Sequence, residues 1–223
     1  MIRIILLLVC CMAPLLGEIK VVAFDFGGVV ARVSREAVMD FFQSSLGLDE
    51  AEFEEALAHY KRRRAEGAVP HEFWIEYAEG REIALAPNWI ELYEATLVNA
   101  IQPLPGMVEL IHTLKAGGYQ TPLLSNISCD YAKVAMQTGL YDFFHPLLLS
   151  CDIGYEKPDP RAYELLLESI GASPGECIFI DDNLMNVEAA RRLGIDAIYF
   201  RGVEALREAL HERGLLANKE LIR

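Results

Sequence analysis

The sequence predicts an α/β protein in which a parallel sheet, covered on both faces by helices, carries a small helical insert. Three observations predict it. Ile19-Lys-Val-Val-Ala-Phe24 is an apolar, β-branched run that stops at Asp25 and the pair Gly27-Gly28, the pattern of a buried parallel strand opening into a tight loop. From Pro103 onward, apolar runs of strand length alternate with amphipathic stretches of helix length, and this alternation calls for parallel strands joined by helical crossovers. Between the two, Ser34 to Asn99 shows helical spacing and no convincing strand.

Each element follows in order. Asp49-Glu-Ala-Glu52 has the form of a capping box, and Phe53, Leu57 and Tyr60 recur behind it at helical spacing. Pro70 and Pro87-Asn88 punctuate two further helices, which carry Phe73, Trp74 and Tyr77, then Trp89, Leu92 and Tyr93. After Pro103-Leu-Pro105-Gly106 come a helix over Met107–Lys115 closed by Gly117-Gly118 and a strand over Tyr119–Leu124 running into Ser125-Asn126. A helix from Asp130, a strand at Leu147–Leu149 and the loop Gly154–Pro160 with Lys157 precede a helix over Arg161–Ser169. The strand Cys177–Ile180 stops at Asp181-Asp182-Asn183, and a helix to Leu193, a strand Ala197–Phe200 and a helix from Val203 complete the chain. At 223 residues one substantial core fits, with room for a small unit beside it: residues 18–32 with 101–223, and 33–100 as the insert.

The formal charge of −13 excludes a general nucleic-acid surface, because a phosphate backbone would be repelled. A phosphorylated ligand must therefore meet local positive charge, backbone amides or a metal ion. Lys61-Arg62-Arg63-Arg64 is a basic run in an acidic chain and reads as a solvated helix face. Met1 to Gly17, with Arg3 followed by an apolar run too short to span a bilayer, has the proportions of a signal peptide cleaved before Glu18. That reading directs the protein to the periplasm or outside the cell, with no membrane span once the leader is removed; initiation at Met12 would leave it cytoplasmic. Cys129, Cys151 and Cys177, odd in number and widely spaced, show neither a disulfide framework nor metal-ligand spacing and read as small core residues.

Asp25, Ser125-Asn126 and Asp181-Asp182 share one position, directly after an apolar strand, and in a parallel sheet all such positions converge on one edge. The chemistry that these groups support together is phosphoryl transfer. A carboxylate attacking a phosphate monoester meets an anion, so nearby positive charge and fixed geometry are required. Lys157 offers one charge, and Mg²⁺ held by Asp25, the Gly27 carbonyl and Asp182, with Asp181 holding a coordinated water, would supply the rest. Ser125 and the Asn126 amide would donate to the phosphate oxygens, and Asp25 would form a phospho-aspartyl intermediate.

Phe24-Asp25-Phe-Gly-Gly-Val, Leu124-Ser125-Asn126, Lys157-Pro158, and Ile180-Asp181-Asp182-Asn183 followed by Asn186 and Gly194 resemble, in order, the four motifs of the haloacid dehalogenase superfamily. The resemblance implies a Rossmann-like core, a helical cap after the first motif and Mg²⁺-dependent phosphatase activity on small phosphorylated metabolites. It carries over Asp25 as nucleophile, Ser125 and Lys157 as phosphate binders, and Asp182 as metal ligand supported by Asp181. The chain departs from the pattern at Gly27, where most such phosphatases have the aspartate that protonates the leaving group. Loss of a positioned acid costs about 10²- to 10⁴-fold. The branch containing bacterial sugar-1-phosphate phosphatases is similar in having glycine there, which implies a substrate with a good leaving group. His59 and His71 lie in the insert as possible donors. Two alternatives stay open at this level: a dehalogenase-type hydrolase, and a catalytically weak relative that binds a phosphorylated ligand or a protein.

Overall fold

A computed structural model describes residues 18–65 and 68–217. The leader reading at residues 1–17 lies outside the described residues. No helix among those described is long and apolar enough to cross a membrane.

The first strand, β1 (Val21–Phe24), is wholly buried at the centre of a five-stranded sheet. Its neighbours are β4 (Leu123–Ser125) and β6 (Cys177–Asp181), with β5 (Leu147–Leu149) and β7 (Asp196–Tyr199) outside them, in the order β5-β4-β1-β6-β7 and parallel throughout. Side chains alternate between the faces of a strand, so two cores form, one on each side. Val22, Phe24, Ile178 and Ile180 pack with α5 (Met107–Ala116) and α10 (Val203–Glu212) on one face. Val21, Ala23, Cys177 and Phe179 pack with α8 (Pro160–Ile170) and α9 (Leu184–Arg192) on the other. This is the expected three-layer arrangement, and the continuous apolar character of β1 and β6 is the signature of strands covered twice.

Among the described residues the insert is four helices: α1 (Arg35–Leu46), α2 (Glu50–Ala65), α3 (Pro70–Gly80) and α4 (Trp89–Ala100). The expected capping box is present, with the Asp49 amide donating to Glu52 Oε2 at 3.0 Å and the Glu52 amide donating to Asp49 Oδ1 at 2.9 Å. Trp74, fully buried, centres the packing, with its ring centroid 4.8 Å from Phe42 and 5.8 Å from Phe53. These aromatics do not form a separate core: they belong to the same apolar cluster as Phe24 and Phe26.

Two local features differ from the sequence reading. The insert is entered and left through a short antiparallel ribbon, β2 (Ala31–Val33) with β3 (Ile101–Pro103), whose three-residue strands are too brief to show a period. The strand expected over Tyr119–Leu124 is regular only at Leu123–Ser125, because Pro122 has no amide to donate; before it, Gln120 makes an isolated bridge to Val21. Helix α6 (Cys129–Gln137) follows β4 after the loop 126–128, and a single turn, α7 (Ser150–Ile153), follows β5 directly.

Candidate active site

The carboxyl edge of the sheet gathers the residues singled out in the sequence. Asp25 follows β1, and its amide donates to the Ile180 carbonyl at 2.8 Å, which extends the pairing of β1 with β6 and sets Asp25 beside Asp181. Ser125, buried, ends the strand on the other side of β1. Lys157 lies between the two acids, its ammonium 2.7 Å from Asp25 Oδ1 and 2.8 Å from Asp181 Oδ2, with its side chain almost fully buried.

Each group is held from behind. Asn126 positions the lysine loop: its side-chain amide donates to the Lys157 carbonyl at 2.7 Å, and its carbonyl oxygen accepts from the Lys157 amide at 2.8 Å. Sequence reasoning assigned the Asn126 backbone a phosphate contact; the reciprocal side-chain bonds are an additional role that a strand-end position does not reveal. Asp181 is saturated, since Oδ1 accepts from the Asn183 amide at 2.7 Å and Oδ2 accepts from Lys157, while Asn186 Nδ2 lies 3.2 and 3.0 Å from the two oxygens. Tyr163 in turn donates to the Asn186 carbonyl at 2.9 Å, fixing α9 against α8. Asp182 stands on the solvent side. Its carboxylate lies against Gly28, where an added Cβ would come within 2.0 Å of Asp182 Oδ2, and the loop at Gly28 adopts a φ of +83°. The loops after β1 and β6 therefore meet only because residue 28 has no side chain.

Charge is unbalanced here. One oxygen from each of Asp25, Asp181 and Asp182 lies within 4.8 Å of the others, and among the described residues the ammonium in contact with Asp25 and Asp181 is that of Lys157. Burial pushes the Asp25 carboxyl up to about 6, outweighing the pull of Lys157, and the Asp181 charge adds to the rise. Asp182 is raised as well, first by desolvation and then by Asp181, with Lys157 and Arg32 on β2 acting the other way. Three carboxylates against one ammonium leave a deficit that a divalent cation would cancel. Oxygens sharing one Mg²⁺ stand about 3–4 Å apart, so the donor set fits a hard ion, with Asp25 and Asp182 the acids not already saturated by hydrogen bonds. Gly27 lies within the same loop, and a Cβ there would meet nothing within 4 Å.

The remaining sequence candidates fall elsewhere. His59 packs edge-on against Phe73 inside the insert, and Arg63 reaches Glu76 at 3.9 Å on the neighbouring helix. His71 lines a cavity of about 130 Å³ between α3, α4 and α6, together with Tyr93, Glu94, Tyr131 and Lys133. Tyr141, unnoticed in the sequence, is buried edge-on to Phe26 with a hydroxyl that has no hydrogen-bond partner among the described residues, and both burial and the Asp25 charge push its pKa up, holding the phenol neutral. The cysteine reading is corrected in part. Cys177 is a buried core residue, but Cys129 is exposed and Cys151 half-buried, and these two come together.

This fold, with an aspartate, a serine, a lysine and an aspartate pair on one sheet edge, defines a hydrolase class that the sequence comparison identifies. The family of haloacid dehalogenase-like hydrolases matches residues 19–194, and the chain belongs to it. Among curated relatives, it is 29% identical over 152 residues to flavin mononucleotide hydrolase 1 of Arabidopsis thaliana, covering 64% of this chain and 62% of that protein. It is 24% identical over 187 residues to the D-ribitol-5-phosphate phosphatase of Bacteroides thetaiotaomicron, covering 80% and 90%. It spans only 38% of the bifunctional epoxide hydrolase 2 of Sus scrofa, at 27% identity over 214 residues and 85% of this chain. In fold it is similar to the Bacteroides thetaiotaomicron enzyme bt-2542, with a TM-score of 0.65 at 23% identity, covering 87% of this chain and 99% of that one. A further structure of that enzyme holds magnesium and inorganic phosphate; its TM-score is 0.62 at 22% identity, covering 83% and 96%.

Proposed function

We propose that the chain is a Mg²⁺-dependent phosphatase of small phosphorylated metabolites that works through a phospho-aspartyl intermediate on Asp25. The observation that carries this reading is the Lys157 ammonium bridging Asp25 and Asp181 at 2.7 and 2.8 Å beside Asp182, an arrangement suited to gathering anionic oxygens around a nucleophilic carboxylate. Relatives named for phosphate-ester hydrolysis, and the magnesium and phosphate held by bt-2542, point the same way. The excess of carboxylate over ammonium favours it over a metal-free halide displacement.

Asp25 and Asp182 would hold Mg²⁺ together with the Gly27 carbonyl, with Asp181 in support, and the bound ion supplies the charge neutralisation that lets two anions meet. Ser125 and the Asn126 amide orient the phosphoryl group, and Lys157 offsets its negative charge. An Asp25 oxygen attacks phosphorus, the ester P–O bond breaks, and the leaving oxygen takes its proton from solvent because Gly27 has none to give. Water then hydrolyses the acyl phosphate, releasing inorganic phosphate and restoring Asp25. The substrates favoured are those whose leaving group needs little protonation, sugar-1-phosphates and acyl phosphates among them. A phosphate-release screen across sugar, nucleotide and acyl phosphates, with and without Mg²⁺, tests this. Release that needs Mg²⁺ and is lost in Asp25→Asn is expected, and release that survives Asp25→Asn would refute it.

A further inference from the structure

We propose that Cys129, Cys151 and Asp152 form a second metal site, chemically separate from the Asp25 cluster and suited to a borderline-soft divalent ion such as Zn²⁺. Both sulfurs and one Asp152 oxygen lie within 4.8 Å of one another. Cys151 Sγ is 3.8 Å from Asp152 Oδ1. Two thiolates bound to one tetrahedral Zn²⁺, at Zn–S of about 2.3 Å, stand roughly 3.8 Å apart, so small side-chain rotations suffice. Two sulfurs and a carboxylate leave a fourth position open to water.

The frame that carries these ligands is already fixed. Ser150, immediately before Cys151, accepts from the Ile127 amide at 2.9 Å and donates to the Ile127 carbonyl at 3.2 Å, tying the loop that leads into α6 to the first turn of α7. Cys129, at the first position of α6, therefore faces Cys151 across a braced gap. A divalent cation bound here would replace the thiol protons: two S–metal bonds and one O–metal bond form, two thiol protons pass to solvent, and nothing is oxidised or reduced. Ligand softness separates the two clusters, because an all-oxygen set prefers Mg²⁺ and a thiolate set prefers Zn²⁺. An ion here would clamp the start of α6, four residues beyond Ser125, against α7.

The test uses the reduced full-length protein and Co²⁺, whose thiolate complexes have a near-ultraviolet charge-transfer band that carboxylate complexes lack. One equivalent of Co²⁺ is expected to produce the band and one equivalent of Zn²⁺ to displace it. Cys129→Ser and Cys151→Ser should each abolish it, and Asp25→Asn should leave it intact. Cys129 is exposed, so its variant folds without disturbing the core, and a thermal melt checks this. No band in the folded, reduced wild-type protein, or a band that survives Cys129→Ser, overturns the proposal. Either result leaves the phosphatase reading standing, since that rests on Asp25.

Discussion

Replacing Gly28 by alanine separates the placement of the proposed metal ligand from the stability of the fold. At φ +83° an L side chain costs about 1–2 kcal/mol. In a domain of this size that lowers Tm by roughly 2–8 °C. The added Cβ would also stand 2.0 Å from Asp182 Oδ2 and 2.7 Å from its Cγ, where contacts under 3.0 Å do not persist. The carboxylate must therefore swing away by about one ångström, a displacement of the kind that costs about 10²-fold in catalysis. Gly47→Ala is the control, with a φ of +65° and no atom within 4 Å of the new Cβ. Calorimetry and Mg²⁺-dependent phosphate release should show similar losses of Tm in both variants, but a raised Mg²⁺ requirement and a roughly hundredfold loss of kcat/KM only in Gly28→Ala. If both variants keep wild-type Mg²⁺ activation, the contact between Gly28 and Asp182 does not organise the site and the reasoning fails.

Three further outcomes follow from the same geometry. Lys157→Met leaves Asp25 and Asp181 without their shared cation in a buried setting, which should cost about 3–5 kcal/mol, or roughly 6–20 °C in Tm without metal, and the loss should shrink at pH 5, where Asp25 is protonated. Because burial raises Asp25 from 3.8 to about 6, the metal-free native state binds the extra proton; its contribution to stability is full below the unfolded value and gone above about 6. Mg²⁺ must displace that proton, so its affinity by calorimetric titration should be flat above pH 7 and fall about tenfold per unit below 6. Gly27→Asp has room for its side chain and should restore an acid, raising turnover of alkyl phosphates by up to about 10²-fold while changing sugar-1-phosphates little; equal effects on both would contradict the leaving-group argument.

The sheet and the gathering of these residues at its carboxyl edge were legible in the sequence because parallel strands impose a rule: Asp25, Ser125 and Asp181 each come at or just after the end of an apolar run, and the fold puts such positions together. Lys157 was legible only through its motif, since a lysine in a loop has no periodicity to locate it. What stayed hidden depends on contacts between distant segments. The hold of Asn126 on the lysine loop spans 31 residues, and the meeting of Cys129 with Cys151 depends on how α6 and α7 leave neighbouring strands. The β2–β3 ribbon went unseen because its pairing is three residues long and joins the two ends of the insert. The insert aromatics, legible as apolar, gave no sign that they would merge with the main core, because helical spacing fixes a face but not what covers it.

The most direct measurement is the chemical state of residue 25 during turnover. Enzyme quenched in acid while hydrolysing a phosphate-labelled sugar-1-phosphate in the presence of Mg²⁺ should yield one labelled peptide, the one containing Asp25, with a phosphoryl group released by hydroxylamine as an acyl phosphate is. Steady turnover with no label at Asp25, or with label on another residue, would contradict the account.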